Sequence, residues 1–258
     1  MLRFSANLSM LFLEYSFLER FDKAAQAGFR GVEFMFPYDY DIDVLKEKLQ
    51  ANKLEHTLHN LPAGDWAAGE RGIACIRGRE EEFRDGVAAA IRYAKGLGNR
   101  KINCLVGKTP AGFSAEQIQQ TLVENLRYAA NMLAQEDILL LIEPINHFDI
   151  PGFYLTGTHQ ALALIDSVGC DNIKIQYDIY HMQRMEGELT QTMTTWANKI
   201  GHLQIADNPR RGEPGTGEIN YDFIFKFIDK SGYDGWVGCE YKPLTTTEAG
   251  LSWINQYR

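Results

Sequence analysis

Four apolar runs in the second half of the 258-residue chain each end in a residue able to bind a metal or move a proton. Ile138-Leu139-Leu140-Leu141-Ile142 leads into Glu143, and Ile173-Lys174-Ile175-Gln176-Tyr177 leads into Asp178. The run after Gly201 reaches Gln204, and Trp236-Val237-Gly238-Cys239 leads into Glu240. The gaps between these ends are 35, 26 and 36 residues, about one strand–helix unit each. A closed barrel of parallel strands gathers its strand ends in one ring, so residues far apart in sequence meet at one mouth. A pattern that places carboxylates there is the geometry of a reactive site, not of a packed core.

The whole chain follows the same alternation. Strand-like runs fall near residues 3–8, 30–34, 54–60, 101–106, 138–143, 173–178, 201–206 and 236–240, with helical patterns between them. Eight such pairs require parallel strands and right-handed crossovers, and predict a single-domain (β/α)8 barrel over residues 1–258. An open doubly wound sheet is the alternative. Its dinucleotide-binding version needs a G-x-G-x-x-G turn after the first strand, and none is present, so no nucleotide cofactor is expected. Ser114-x-x-Gln117 and Ser16-x-x-Glu19 read as capping boxes. The helix after Ser114 carries an apolar face of Ile118, Leu122, Leu126, Ala129 and Leu133. Asn220 is placed to cap another helix. The longest loop, roughly residues 61–82, is a candidate lid, and the glycine-bearing loop 208–220 is a second candidate for wrapping substrate.

Composition narrows the partners. A net charge of −8, with both signs interspersed, disfavours nucleic acid and anionic membranes. Cys75, Cys104, Cys170 and Cys239 form no C-x-x-C, and Cys104 and Cys239 fall in buried strands, as in a reduced cytoplasmic protein. No cationic-then-apolar leader is evident, and no run nears the ~18 apolar residues of a membrane span. A homo-oligomer is left open.

Glu143 and Glu240 are the candidate acid and base. Together with Asp178 they put three carboxylates at one barrel mouth, where mutual repulsion calls for a cation. Carboxylate oxygens and the Gln204 amide are hard ligands, suited to Mg²⁺ or Mn²⁺. A metal-free pair sharing protons is the competing reading. His181, three residues past Asp178, Asp149, six past Glu143, and Arg210, six past Gln204, would all sit on loops at the same face. Arg210 offers a planar fork for a substrate carboxylate. Lys242 and Lys108 are weaker cationic candidates, and His56 and His59 either line the barrel or pack its core.

The chain resembles the xylose-isomerase-like sugar isomerases and epimerases, most closely the bacterial hydroxypyruvate isomerases. The resemblance is carried by Arg3-Phe4-Ser5-Ala6-Asn7-Leu8-Ser9, Gly31-Val32-Glu33-Phe34, Leu141-Ile142-Glu143-Pro144-Ile145-Asn146 and Gln176-Tyr177-Asp178-Ile179-Tyr180-His181. It continues through His202-Leu203-Gln204-Ile205-Ala206-Asp207, Gly215-Thr216-Gly217-Glu218-Ile219-Asn220 and Gly238-Cys239-Glu240-Tyr241-Lys242-Pro243. It implies a divalent metal on Glu143, Asp178, Gln204 and Glu240, and the two glutamates as proton donor and acceptor. It also implies substrate contacts from His181 and Arg210, and it places Asp149 at a position that is Glu in the epimerases; Lys242 is a further candidate substrate contact. Gln204 stands where the epimerases place a histidine ligand, which implies weaker metal binding. The implied reaction is hydroxypyruvate ⇌ tartronate semialdehyde through an enediolate. The same chemistry on a four-carbon acid (a 2-oxo-tetronate isomerase) and a ketose 3-epimerase are the alternatives. The barrel superfamily also contains DNA-repair endonucleases, but six dispersed histidines and a net charge of −8 argue against that activity.

Overall fold

A computed structural model describes residues 1–257. Eight parallel strands close into a barrel in chain order: β1 (Arg3–Asn7), β2 (Gly31–Glu33), β3 (Glu55–Asn60), β4 (Lys101–Cys104), β5 (Leu139–Ile142), β6 (Ile173–Asp178), β7 (Ile200–Ile205) and β8 (Trp236–Cys239). β8 pairs back onto β1, which completes the ring and excludes the open sheet. The coat is built from α1 (Phe17–Gln26), α2 (Ile42–Ala51), α3 (Glu80–Leu97), α4 (Ala115–Ala134), α5 (Thr158–Val168), α6 (Ile179–Met185), α7 (Leu189–Thr195) and α8 (Tyr221–Lys230).

Local sequence sets these elements. Ser16 and Ser114 form the expected capping boxes, and Asn220 Oδ1 accepts the Phe223 amide at the start of α8. The α4 face of Ile118, Leu122, Leu126, Ala129 and Leu133 is buried against the barrel. Among the described residues the four cysteines form no disulfide; Cys75, Cys104 and Cys239 are buried and Cys170 is half-buried. Among the described residues no helix is long and apolar enough to cross a membrane.

Residues two apart on a strand share a face, and here the inward face is polar toward the C-terminal end. Gln176 and Asp178, His202 and Gln204, and Ser5 and Asn7 are all buried pairs of this kind. Register then brings the ends together: Asp178 pairs with Gln204, and Gln204 with Gly238. His56 and His59 stack on each other, and His56 stacks on Phe34 with ring centroids 4.2 Å apart, so both belong to the packed interior.

The long loop runs to Arg79, where α3 begins. It is tied to the following βα loop by Cys75 N to Val106 O at 3.0 Å and by Lys108 Nζ to Gly69 O at 2.9 Å. Lys108 therefore braces this loop. Gly72 sits at φ +109°, and a Cβ there would overlap the Leu105 carbonyl oxygen. Gly72→Ala combines a left-handed backbone with that clash. It should destabilise the fold by roughly 1–3 kcal/mol, read as a lowered urea midpoint at unchanged m-value.

Candidate active site

The C-terminal mouth of the barrel opens into a cavity of about 480 Å³. Glu143, Gln204, Glu240, Asp149, His181 and Lys242 all line it. Asp178 is fully buried just behind the lining, where its carboxylate caps α6 by accepting the Tyr180 and His181 amides. That cap seats His181 in the first turn of α6 instead of on a loop.

Arg210 does not reach the cavity; it is exposed, and its neighbour Arg211 takes the place expected of it. The chain leaves β7, turns through residues 208–211 and returns, with Asp207 N donating to Gly212 O at 2.8 Å. Arg210 lies on the outside of that turn, while Arg211 beside Gly212 points inward. Arg211 Nη2 meets Glu240 Oε1 at 2.6 Å and stands 3.8 Å from Asp178 Oδ2, while Nη1 is 3.9 Å from Asp149 Oδ2. Asp149 is further held by Arg184 at 2.7 Å and by the Tyr180 hydroxyl at 2.9 Å.

The two glutamates have different environments. Glu240 accepts from three donors: Arg211, Gln204 Nε2 at 2.5 Å and Asn7 Nδ2 at 3.2 Å. Glu143 Oε2 accepts from Gln176 Nε2 at 2.9 Å and Asn103 Nδ2 at 3.2 Å, whereas its Oε1 is buried without a partner. Gln176 also donates to Gln204 Oε1 at 2.6 Å, so a chain of two amides joins Glu143 to Glu240.

Burial raises the pKa of Glu143 well above the ordinary carboxylate range, and the Glu240 and Asp178 charges add to the rise. Burial raises Glu240 as well, opposed by Arg211 and reinforced by Asp178 and Glu33. Asp178 is pushed up to about 6 by burial, against the pull of Arg211 and the two backbone amides. Burial works against the Arg211 charge, but Glu240, Asp178, Glu143 and Asp149 together raise its pKa. Burial, with Arg211 and Arg184 nearby, holds the His181 pKa well below its usual value.

For a metal, the donor set fits in part. Glu143, Asp178 and His181 offer ligand atoms all within 4.8 Å of one another. Glu143 Oε1 and Asp178 Oδ2 are both buried without a hydrogen-bond partner, as two oxygens awaiting a cation or a proton would be. The other two expected ligands are already engaged: the Gln204 oxygen by Gln176, and Glu240 by Arg211, Gln204 and Asn7.

Sequence reasoning left several residues unassigned. Glu33 lines the cavity, and its Oε2 meets His202 Nε2 at 2.9 Å while Oε1 accepts from Gln204 at 2.8 Å and Asn7 at 3.1 Å. Gly238 makes room for that carboxylate, since a Cβ there would lie 2.5 Å from both of its oxygens. Gln176 and His202 carried a legible signal, each being a polar residue two positions before a strand-end candidate. Arg71 and Trp66, from the long loop, also line the cavity, with the guanidinium 3.9 Å above the indole.

Comparison with known proteins agrees with this architecture. The chain is 84% identical to a hydroxypyruvate isomerase from Escherichia coli (strain K12) over 258 residues, the full length of both. It is 46% identical to a 2-oxo-tetronate isomerase from Cupriavidus necator, covering 99% of this chain and 98% of that one. A crystal structure described as an AP endonuclease, family 2, from Brucella melitensis superposes with a TM-score of 0.97 at 47% identity over 100% of both chains. The family model described as xylose isomerase-like TIM barrel matches residues 21–257, and the chain belongs to that family.

Proposed function

We propose that this enzyme interconverts hydroxypyruvate and tartronate semialdehyde through an enediolate. The observation that carries the reading is that Glu143 and Glu240, with different partners and both raised by burial, line one small cavity. A 1,2 carbonyl shift needs one group to take a proton and another to return one, and two carboxyl groups in unlike surroundings can divide that work. The 84% identity to the Escherichia coli hydroxypyruvate isomerase favours the three-carbon substrate over the four-carbon acid of the 46%-identical relative.

The contacts support the following roles. Glu240 accepts from three donors, which favours its anion, and it takes the proton from C3 of hydroxypyruvate. The negative charge spreads over the enediolate, and the hydroxyl proton passes from O3 to O2. Glu143 returns a proton to C2, leaving an aldehyde at C3. His181 faces the cavity and stabilises an enediolate oxygen. Arg211, with Lys242 and Arg71 on the same lining, supplies positive charge for the substrate carboxylate. Glu143 and Asp178 are the residues that would hold a Mg²⁺ or Mn²⁺ ion, with Gln204 and Glu240 joining by releasing their present partners. A bound divalent cation would supply further positive charge beside a substrate oxygen.

The direct assay incubates the pure protein with hydroxypyruvate and follows tartronate semialdehyde, then repeats with a four-carbon 2-oxo acid. Faster turnover of the four-carbon acid would transfer the reading to that substrate. Glu143→Gln and Glu240→Gln should each lower kcat by about 10²–10⁴-fold with the far-UV spectrum unchanged. Activity within threefold of wild type in either variant would remove that residue from the proton transfers.

The two adjacent arginines separate cleanly. Charge-assisted hydrogen bonds contribute about 1.5–3 kcal/mol, so Arg211→Ala should lower kcat/KM by at least roughly 10–100-fold. Arg211→Lys should also lose activity, because an ammonium cannot reproduce the fork. Arg210→Ala should stay within about threefold of wild type, as expected of an exposed residue with no cavity contact. The opposite ranking would return substrate recognition to Arg210.

A further inference from the structure

Asn146 lies three residues past Glu143, fully buried on the loop after β5. Its side-chain oxygen accepts two backbone amides, Phe148 N at 3.1 Å and Asp149 N at 2.9 Å. Those two donors fix which end of the amide is which, since turning it over would aim an NH₂ at two N–H groups. The NH₂ must therefore face the other way, and it stands 2.6 Å from His181 Nδ1. The Asn146 backbone N–H points at the same nitrogen from 3.4 Å. A nitrogen that meets only donors must be the acceptor of its ring, so the ring proton belongs on Nε2. An imidazolium would need a proton on Nδ1 as well, facing the same donors.

Nε2 in turn lies 3.8 Å from Glu143 Oε1 and 3.7 Å from Asp178 Oδ2, beyond hydrogen-bond length from either. Its N–H is left for an atom that enters the cavity. We propose that Asn146 is a positioning residue that locks His181 as an Nε2–H donor, aimed at a substrate oxygen beside Glu143 and unable to act as a metal ligand. This rests on the isomerase reading for the identity of that oxygen, but the tautomer itself does not. The three-residue grouping of Glu143, Asp178 and His181 then reduces to two carboxylate ligands with a hydrogen-bond donor beside them.

The test is two-bond ¹H–¹⁵N correlation of protein labelled with ¹⁵N-histidine, with the His181 signals assigned by their loss in His181→Gln. Wild type should show His181 neutral with its proton on Nε2. Asn146→Asp replaces the donor with a carboxylate oxygen, which can only accept, and should move the proton to Nδ1. The same variant should lower kcat on hydroxypyruvate by about 10²-fold, the scale of losing an oxyanion donor, with KM within about threefold. A purely structural asparagine would leave the tautomer unmoved. A wild-type spectrum with the proton on Nδ1, or an unchanged tautomer in the variant, overturns the proposal; the first result decides even if Asn146→Asp does not fold. Absence of hydroxypyruvate turnover with the Nε2–H tautomer present would overturn the isomerase reading and leave the positioning role intact.

Discussion

Four buried carboxylates share one barrel mouth, and one guanidinium sits among them. Glu33, Glu143, Asp178 and Glu240 are all nearly inaccessible, and Arg211 is the cation placed against two of them. The histidines in contact with this group add little charge, because burial lowers the pKa of both His181 and His202. The cluster therefore carries more potential negative charge than its own side chains neutralise. Protons or a divalent cation must supply the difference. Glu143 Oε1 and Asp178 Oδ2, both buried without a hydrogen-bond partner, are the two oxygens left open.

The rest of the site can be understood as managing that excess. Amide groups do much of the work: Gln204, Gln176, Asn7 and Asn103 each donate to a carboxylate without adding charge. Gln204 illustrates the consequence. Its NH₂ lies between Glu33 and Glu240 and donates to both. Half of the ring of expected ligands is thus occupied by internal hydrogen bonds. The other half is open, and it is the half that contains Glu143.

The fold was legible because it rests on periodicity. Eight apolar runs at regular spacing admit few topologies, and capping residues such as Ser114 and Asn220 mark helix starts by local chemistry. The strand-end candidates Glu143, Gln204 and Glu240 came to one cavity for the same reason, since a barrel converts sequence period into spatial proximity. Residues beyond the strands were less legible. Arg210 and Arg211 are adjacent and identical in type, and only the turn closed between Asp207 and Gly212 decides which one faces inward. The role of Asn146 depends on which donors surround its two ends, which no spacing rule encodes. Glu33 was hidden because its partner His202 lies 169 residues away, and the two meet only once the barrel closes.

The account stands most directly on whether protons, carried by these carboxyl groups, move through solvent-exchangeable positions. Run in D₂O with hydroxypyruvate, and with tartronate semialdehyde reduced as it forms by a nicotinamide-dependent reductase that acts on the aldehyde and not on the keto acid, the reaction delivers a stable glycerate. On the proposed roles Glu143 returns a proton drawn from its exchangeable carboxyl group, which predicts deuterium at C2 of that glycerate. Glycerate that keeps at C2 the protium originally on C3 would contradict it, and would point to direct hydride migration between the two carbons.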